Sequence, residues 1–139
     1  LVWTADAEYI LALSSGFTPD PDTTGFVFYG GSTAVDVSYL GSGCVGHAMP
    51  EPAFEVHWNG SGGRLRFFFE ADGGADTTMV VRTPGGQWWC ADDSWGTVHP
   101  TIEFGSAADG TYRVWIGAFA SGGAGSGTFS VTELSGVHP

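Results

Sequence analysis

The residues of this sequence best placed to do chemistry are carboxylates. Cys90-Ala91-Asp92-Asp93-Ser94 sets two acidic side chains side by side at the end of an apolar run. Adjacent carboxylates repel each other unless a cation lies between them. Calcium takes about six to eight hard oxygen ligands, so Asp92 and Asp93 need help from another loop, from backbone carbonyls or from water. Asp76, which opens the run Asp76-Thr77-Thr78-Met79-Val80-Val81, is the obvious helper, with Asp72 behind it. The alternative is that Asp92 and Asp93 only cap turns through their own backbone, and the residues themselves leave that open.

Two other residue types merit the same question. His47, His57 and His99, each with carboxylates nearby in the chain, could hold zinc or copper, which favour imidazole. No His-x-His or His-x-x-x-His spacing supports such a site, and scattered surface or turn histidines are the simpler reading. The chain also carries six tryptophans, and Trp88, Trp89 and Trp95 flank the Asp92-Asp93 loop. Tryptophan on a rigid β-surface can stack on a sugar face or anchor a protein interface. In a strand Trp88 and Trp89 point to opposite sides, so at least one of them can lie outside the core. The plainer alternative places one in the core and the other beneath a loop.

Catalysis has little support. Gly-x-Ser-x-Gly, His-Glu-x-x-His and a phosphate-cradling Gly-Lys-Ser/Thr are all missing. A triad assembled from distant Ser, His and Asp is recognised by geometry and not by order, so a cryptic hydrolase stays open as a minor reading. Four basic residues, all arginine, face fifteen carboxylates, for a net charge of −11. That balance disfavours nucleic acid and anionic membranes, whose binding depends on basic residues. It favours cations, or is simply an acidic surface kept for solubility.

Positioning these groups requires a folded domain. Hydrophobic residues make up 42% of the 139 and charged ones 14%, which excludes ordinary disorder and allows one core. No apolar run approaches the ~20 residues that span a bilayer, and no charged leader precedes Leu1, so the sequence reads as a soluble, mature chain. Cys44 and Cys90 are the only cysteines, far apart and outside any Cys-x-x-Cys pair, which reads as a disulfide of an oxidising compartment, with two buried free thiols as the alternative.

Apolar alternation at period two recurs through the chain and marks half-buried strands. Phe54, Val56 and Trp58 form one run, and Leu65, Phe67 and Phe69 a second, with Asn59-Gly60 between them as a hairpin turn in preference to a glycosylation acceptor. Met79 with Val81, Tyr112 to Ile116, and Phe129 with Val131 continue the pattern. Further strands are expected at 26–29, 35–39, 87–90 and 101–104, and the segment 5–13 reads more readily as strand than as helix. The stretch 122–127 reads as a flexible hairpin loop.

Three of these segments together carry a resemblance. Asp76-Thr77-Thr78-Met79-Val80-Val81, then Pro84-Gly85-Gly86-Gln87-Trp88-Trp89-Cys90-Ala91-Asp92-Asp93, then Gly110-Thr111-Tyr112-Arg113-Val114-Trp115-Ile116-Gly117 resembles the prepeptidase C-terminal domain. An Asp-started strand, a Pro-x-Gly turn, an Asp-Asp pair and a Gly-x-Tyr strand recur there in that order. The match spans about Phe54 to Leu134. A narrower group of secreted bacterial proteins of obscure function is similar over more of the chain, through Gly16-Phe17-Thr18-Pro19-Asp20-Pro21, Gly43-Cys44-Val45-Gly46 and Glu133-Leu134. His47, where an aromatic is expected, and His99, where asparagine before Pro100 is commoner, depart from that group.

The resemblance implies an all-β fold, a jelly-roll-like antiparallel β-sandwich of about eight strands in a single domain. It also implies a Cys44–Cys90 disulfide and a calcium site using Asp76, Asp92 and Asp93. Members often carry a peptidase label inherited from neighbouring domains, and the module itself is an accessory one. The expected layout is an N-terminal segment, 1–30, that serves as an added strand or assembly element, followed by the sandwich, 31–139. The expected function is that of a non-catalytic, calcium-binding, secreted or periplasmic bacterial module for an extracellular polymer or protein partner. Its alternative is a self-assembling extracellular subunit anchored by Trp3, Tyr9 and Phe17.

Overall fold

The computed structural model describes all residues from Leu1 to Pro139 and contains eleven strands. In chain order they are β1 (Tyr9–Ser14), β2 (Asp22–Gly30), β3 (Val35–Asp36), β4 (His47–Ala48), β5 (Phe54–Asn59), β6 (Leu65–Ala71), β7 (Thr77–Arg82), β8 (Trp88–Ala91), β9 (Thr101–Phe104), β10 (Gly110–Ala118) and β11 (Ala124–Thr132). The all-β sandwich in one domain is as expected, with more and shorter strands than eight. No helix is long and apolar enough to cross a membrane.

The strands form a seven-stranded sheet and a four-stranded sheet. At the centre of the larger sheet β10 pairs with β7 on one side, and on the other with β5 over its first half and β4 over its end. β8 lies outside β7, β1 outside β5 and β3 outside β4. The smaller sheet runs β2-β11-β6-β9, antiparallel throughout. One pairing is parallel, β1 with β5, so the sandwich is not purely antiparallel.

The inward positions fill the main core. Phe54, Val56 and Trp58 of β5 and Tyr112, Val114 and Ile116 of β10 meet Leu65, Phe67 and Phe69 of β6 and Phe129 and Val131 of β11. Phe54 stacks on Phe129 with ring centroids 4.1 Å apart. A second, smaller core lies on the other face of the large sheet, where Val37 and Cys44 cover Val80 and Trp115. Central strands β7 and β10 are therefore buried on both faces, which is why Met79-Val80-Val81 reads as a continuous apolar run.

Two expectations are corrected. Asn59-Gly60 does not close a hairpin, because β5 and β6 belong to different sheets. Instead the carboxylate of Asp109 accepts the backbone N–H groups of Gly60 and Ser61, at 2.9 and 3.0 Å, where the chain crosses from one sheet to the other. The supposed flexible loop at 122–127 is strand from Ala124 onward, paired with β2. Residues 1–30 supply edge strands within the chain's own sandwich, β1 to the large sheet and β2 to the small one. The three aromatic anchors in that segment are used within the chain: Tyr9 stacks on Phe54, Phe17 meets the Trp58 ring edge-on, and Trp3 lies under the Arg82 guanidinium.

Candidate metal centre and its surroundings

Antiparallel pairing of β7 with β8, in the register Met79↔Ala91, puts the start of one strand beside the end of the other. Asp76 precedes the first and Asp92 and Asp93 follow the second, so pairing alone brings the three carboxylates together. An oxygen from each lies within 4.8 Å of the others. Asp76 and Asp93 are exposed, whereas Asp92 is partly buried. Oδ1 of Asp92 is shielded from solvent and accepts no hydrogen bond from the protein. Burial, then the neighbouring charges of Asp93 and Asp76, push the Asp92 carboxyl up to about 6.

An orphaned carboxylate oxygen amid like charges is a donor set that a hard cation satisfies. Asp76, Asp92 and Asp93 supply such oxygens, and calcium would complete its shell from nearby carbonyls and water. Asp72 is not part of this group. It sits in the 3-10 turn Asp72–Gly74 and accepts a hydrogen bond from the Ser126 hydroxyl at 2.7 Å.

The histidines do not converge. Nε2 of His47 is 4.0 Å from Asp36, Nε2 of His57 is 3.3 Å from Glu55, and His99 lies in the loop before β9 with its Nδ1 buried and unpartnered. The Asp76, Asp92 and Asp93 group is the one place where three potential metal-ligating side chains meet. His57 also has the Thr111 hydroxyl 3.3 Å from its Nδ1, so Thr111, His57 and Glu55 form a polar chain across β10 and β5 that sequence reading did not single out.

The tryptophans divide as strand geometry requires. Trp88 turns to the smaller core and packs on Trp115 at 5.2 Å. Trp89 faces the other way, meets the Phe104 ring edge-on at 5.4 Å and stays 47% exposed. Trp95 is stacked on His138 at 3.8 Å, with the Arg66 guanidinium 5.3 Å from its ring. That guanidinium is buried and donates to the carbonyls of Ser135 and Val137 and to Glu103, which pins the C-terminal tail.

The segments Gly16 to Pro21, Gly43 to Gly46 and Glu133-Leu134 are structural. Glu133 accepts hydrogen bonds from the Ser15 hydroxyl and the Gly16 N–H, and Asp20 accepts from the Thr132 hydroxyl and the Glu133 N–H. The Gly16 to Pro21 segment is thereby tied to Glu133-Leu134. Cys44 and Cys90 form the disulfide, with Cα atoms 5.1 Å apart, and no cysteine is free.

In solved structures the chain is similar to the pre-peptidase C-terminal domain of a collagenase from Bacillus anthracis, with 11% identity and a TM-score of 0.48 over 92% of this chain and 97% of that one. No family model matches the sequence, and no curated protein matches it.

Proposed function

We propose that this domain is a non-catalytic calcium-binding module of a secreted or periplasmic bacterial protein, and that it docks to an extracellular polymer or protein partner. The observation that carries the calcium reading is the convergence of Asp76, Asp92 and Asp93 at one end of the β7–β8 pair, with ligand oxygens within 4.8 Å. A disulfide and a lysine-free acidic surface support an oxidising, extracytoplasmic setting. For the docking role the support is Trp89, a large aromatic left half-exposed at the sandwich edge.

Calcium titration by calorimetry, paired with thermal melts in calcium and in EDTA, tests the first part. Heat of binding at one site, and a higher melting temperature in calcium than in EDTA, are expected. Identical melts with no binding heat would end the calcium reading, and a shift with zinc or copper but not calcium would transfer it to the histidines.

A further inference from the structure

Where β8 and β9 close the edge of the sandwich there is a solvent-open groove of about 270 Å³ that the carboxylate site does not use. Trp89 lines it, Tyr112 and Ala107 are buried residues at its base, and Gln87 and Ser106 stand at its rim. None of the residues that line it is charged, on a chain whose net charge is −11. A groove kept neutral on so acidic a protein suits a neutral ligand better than a charged one.

The polar groups that line it are of two kinds. Those that hold the walls are engaged: the Thr83 N–H donates to the Gln87 carbonyl at 2.9 Å, the Thr83 hydroxyl accepts the Gln87 N–H at 3.1 Å, and the Tyr112 hydroxyl donates to the Ala108 carbonyl at 2.7 Å. The side chains of Gln87 and Ser106 are exposed and make no hydrogen bond within the chain, so an amide and a hydroxyl remain available. The indole of Trp89 is braced by its T-shaped contact with Phe104, so holding it against a ligand costs little further side-chain ordering.

One apolar flat wall with a neutral amide and hydroxyl beside it matches a pyranose ring, which has a face of C–H groups and a rim of hydroxyls. We propose that this groove binds a sugar ring of a neutral polysaccharide, with the ring stacked on Trp89 and its hydroxyls bonded to Gln87 and Ser106. At 270 Å³ the groove falls just below the range of about 300–1,000 Å³ typical of whole-ligand pockets, which suits one unit of a longer polymer. The assignment rests on the polymer-docking half of the function proposed above and is independent of its calcium half.

Affinity electrophoresis of the whole chain tests it, in native gels containing hydroxyethylcellulose, soluble starch or, as the anionic control, alginate. Retardation is expected in a neutral gel and not in alginate. Trp89→Ala should weaken the dissociation constant about tenfold and Gln87→Ala about threefold, while Trp95→Ala leaves it unchanged. Trp89→Phe, which keeps a ring against Phe104, separates lost stacking from lost folding, and it should retain part of the retardation with a near-normal melt. Retardation that Trp89→Ala does not alter would overturn the groove assignment and leave polymer docking standing. No retardation in any gel would remove both, and retardation in alginate alone would overturn the neutral ligand. Calcium binding, read from the melts, is untouched by any of these results.

Discussion

Cys90 is bonded to Cys44 two residues ahead of Asp92, so the four-residue edge strand that delivers the carboxylates is tied to the segment covering the outer face of the large sheet. A strand this short, paired on one side only, has little else to hold its end in place. Replacing both cysteines by serine should lower stability by roughly 4 kcal/mol, from the loop-closure entropy of the 46-residue separation. Urea unfolding of the variant and the parent measures the loss. An unchanged midpoint would show that the remaining contacts hold this edge unaided.

The carboxylate group yields a prediction in which two conditions give opposite signs. Without calcium, Asp92 is raised to about 6 from 3.8, so between about pH 4 and 6 the folded chain holds a proton that the unfolded chain has released. The stability linked to this group is complete below about pH 4 and is lost as pH rises through about 6. Asp92→Asn mimics the protonated acid and cannot lose it. In EDTA the variant should match the parent at pH 4 and be the more stable of the two at pH 7.5. In calcium the order should reverse, because the parent gains RT ln(1 + [L]/Kd), about 2.7 kcal/mol at a hundredfold excess over Kd, and the variant gains less. Melts at two pH values with and without calcium give all four comparisons, and an Asn variant that is less stable in EDTA at pH 7.5 would contradict the account.

Arg66 supports a third prediction. Its buried guanidinium serves three backbone carbonyls of the tail and the carboxylate of Glu103, at 2.7 Å for the last. Removing one partner of such a buried network leaves the others unsatisfied, typically at a cost of about 3–5 kcal/mol. Arg66→Ala should therefore lose roughly 3 kcal/mol and release residues after Thr132 to limited proteolysis. Glu103→Gln, whose carboxylate is partly solvent-exposed, should lose far less. Equal losses in the two variants would place the energy in the ion pair and not in the carbonyl cage.

How much of this was legible beforehand depended on whether the signal was local. The three carboxylates were, because Asp76 opens one apolar run and Asp92 and Asp93 follow the next, and antiparallel neighbours share their ends. Asp72 was not, since a 3-10 turn carries it toward Ser126. Asn59-Gly60 has the same dipeptide chemistry in a hairpin as in a crossing between sheets, and what separates them is distant: Asp109 binds the turn, and a Cβ on Gly60 would lie 2.0 Å from the Trp58 ring. The glycines of β11 were misread for a related reason. At Gly127 a Cβ would lie 2.3 Å from the Glu70 carbonyl, so glycine there permits close strand approach and does not supply flexibility. The neutral groove beside Trp89 joins two turns to residues of β8, β9 and β10 from both sheets, and no spacing in the chain announces it.

The final prediction separates a chain that assembles through its N-terminal segment from one that is completed by it. β1 pairs with β5 in parallel over six residues, Tyr9 stacks on Phe54 at 4.9 Å, and Leu11 and Leu13 pack against the main core. Ahead of the strand the Val2 N–H donates to the Pro50 carbonyl, and Trp3 lies 3.9 Å from the Arg82 guanidinium. Deleting Leu1 to Ser15 would strip one edge of the large sheet and uncover Phe54, which is fully buried. Burial of a large apolar side chain contributes about 1.5–3 kcal/mol, so losing three partly buried ones removes roughly 4 kcal/mol before any pairing is counted. With the lost pairing of β1 and the uncovered Phe54 added, the loss reaches the lower part of the ordinary stability range of about 5–15 kcal/mol. The truncated chain should be unfolded or aggregated by circular dichroism and light scattering. A truncated chain that stays folded with an unchanged melt, and is monomeric where the full chain is multimeric, would show instead that β1 serves a neighbouring copy.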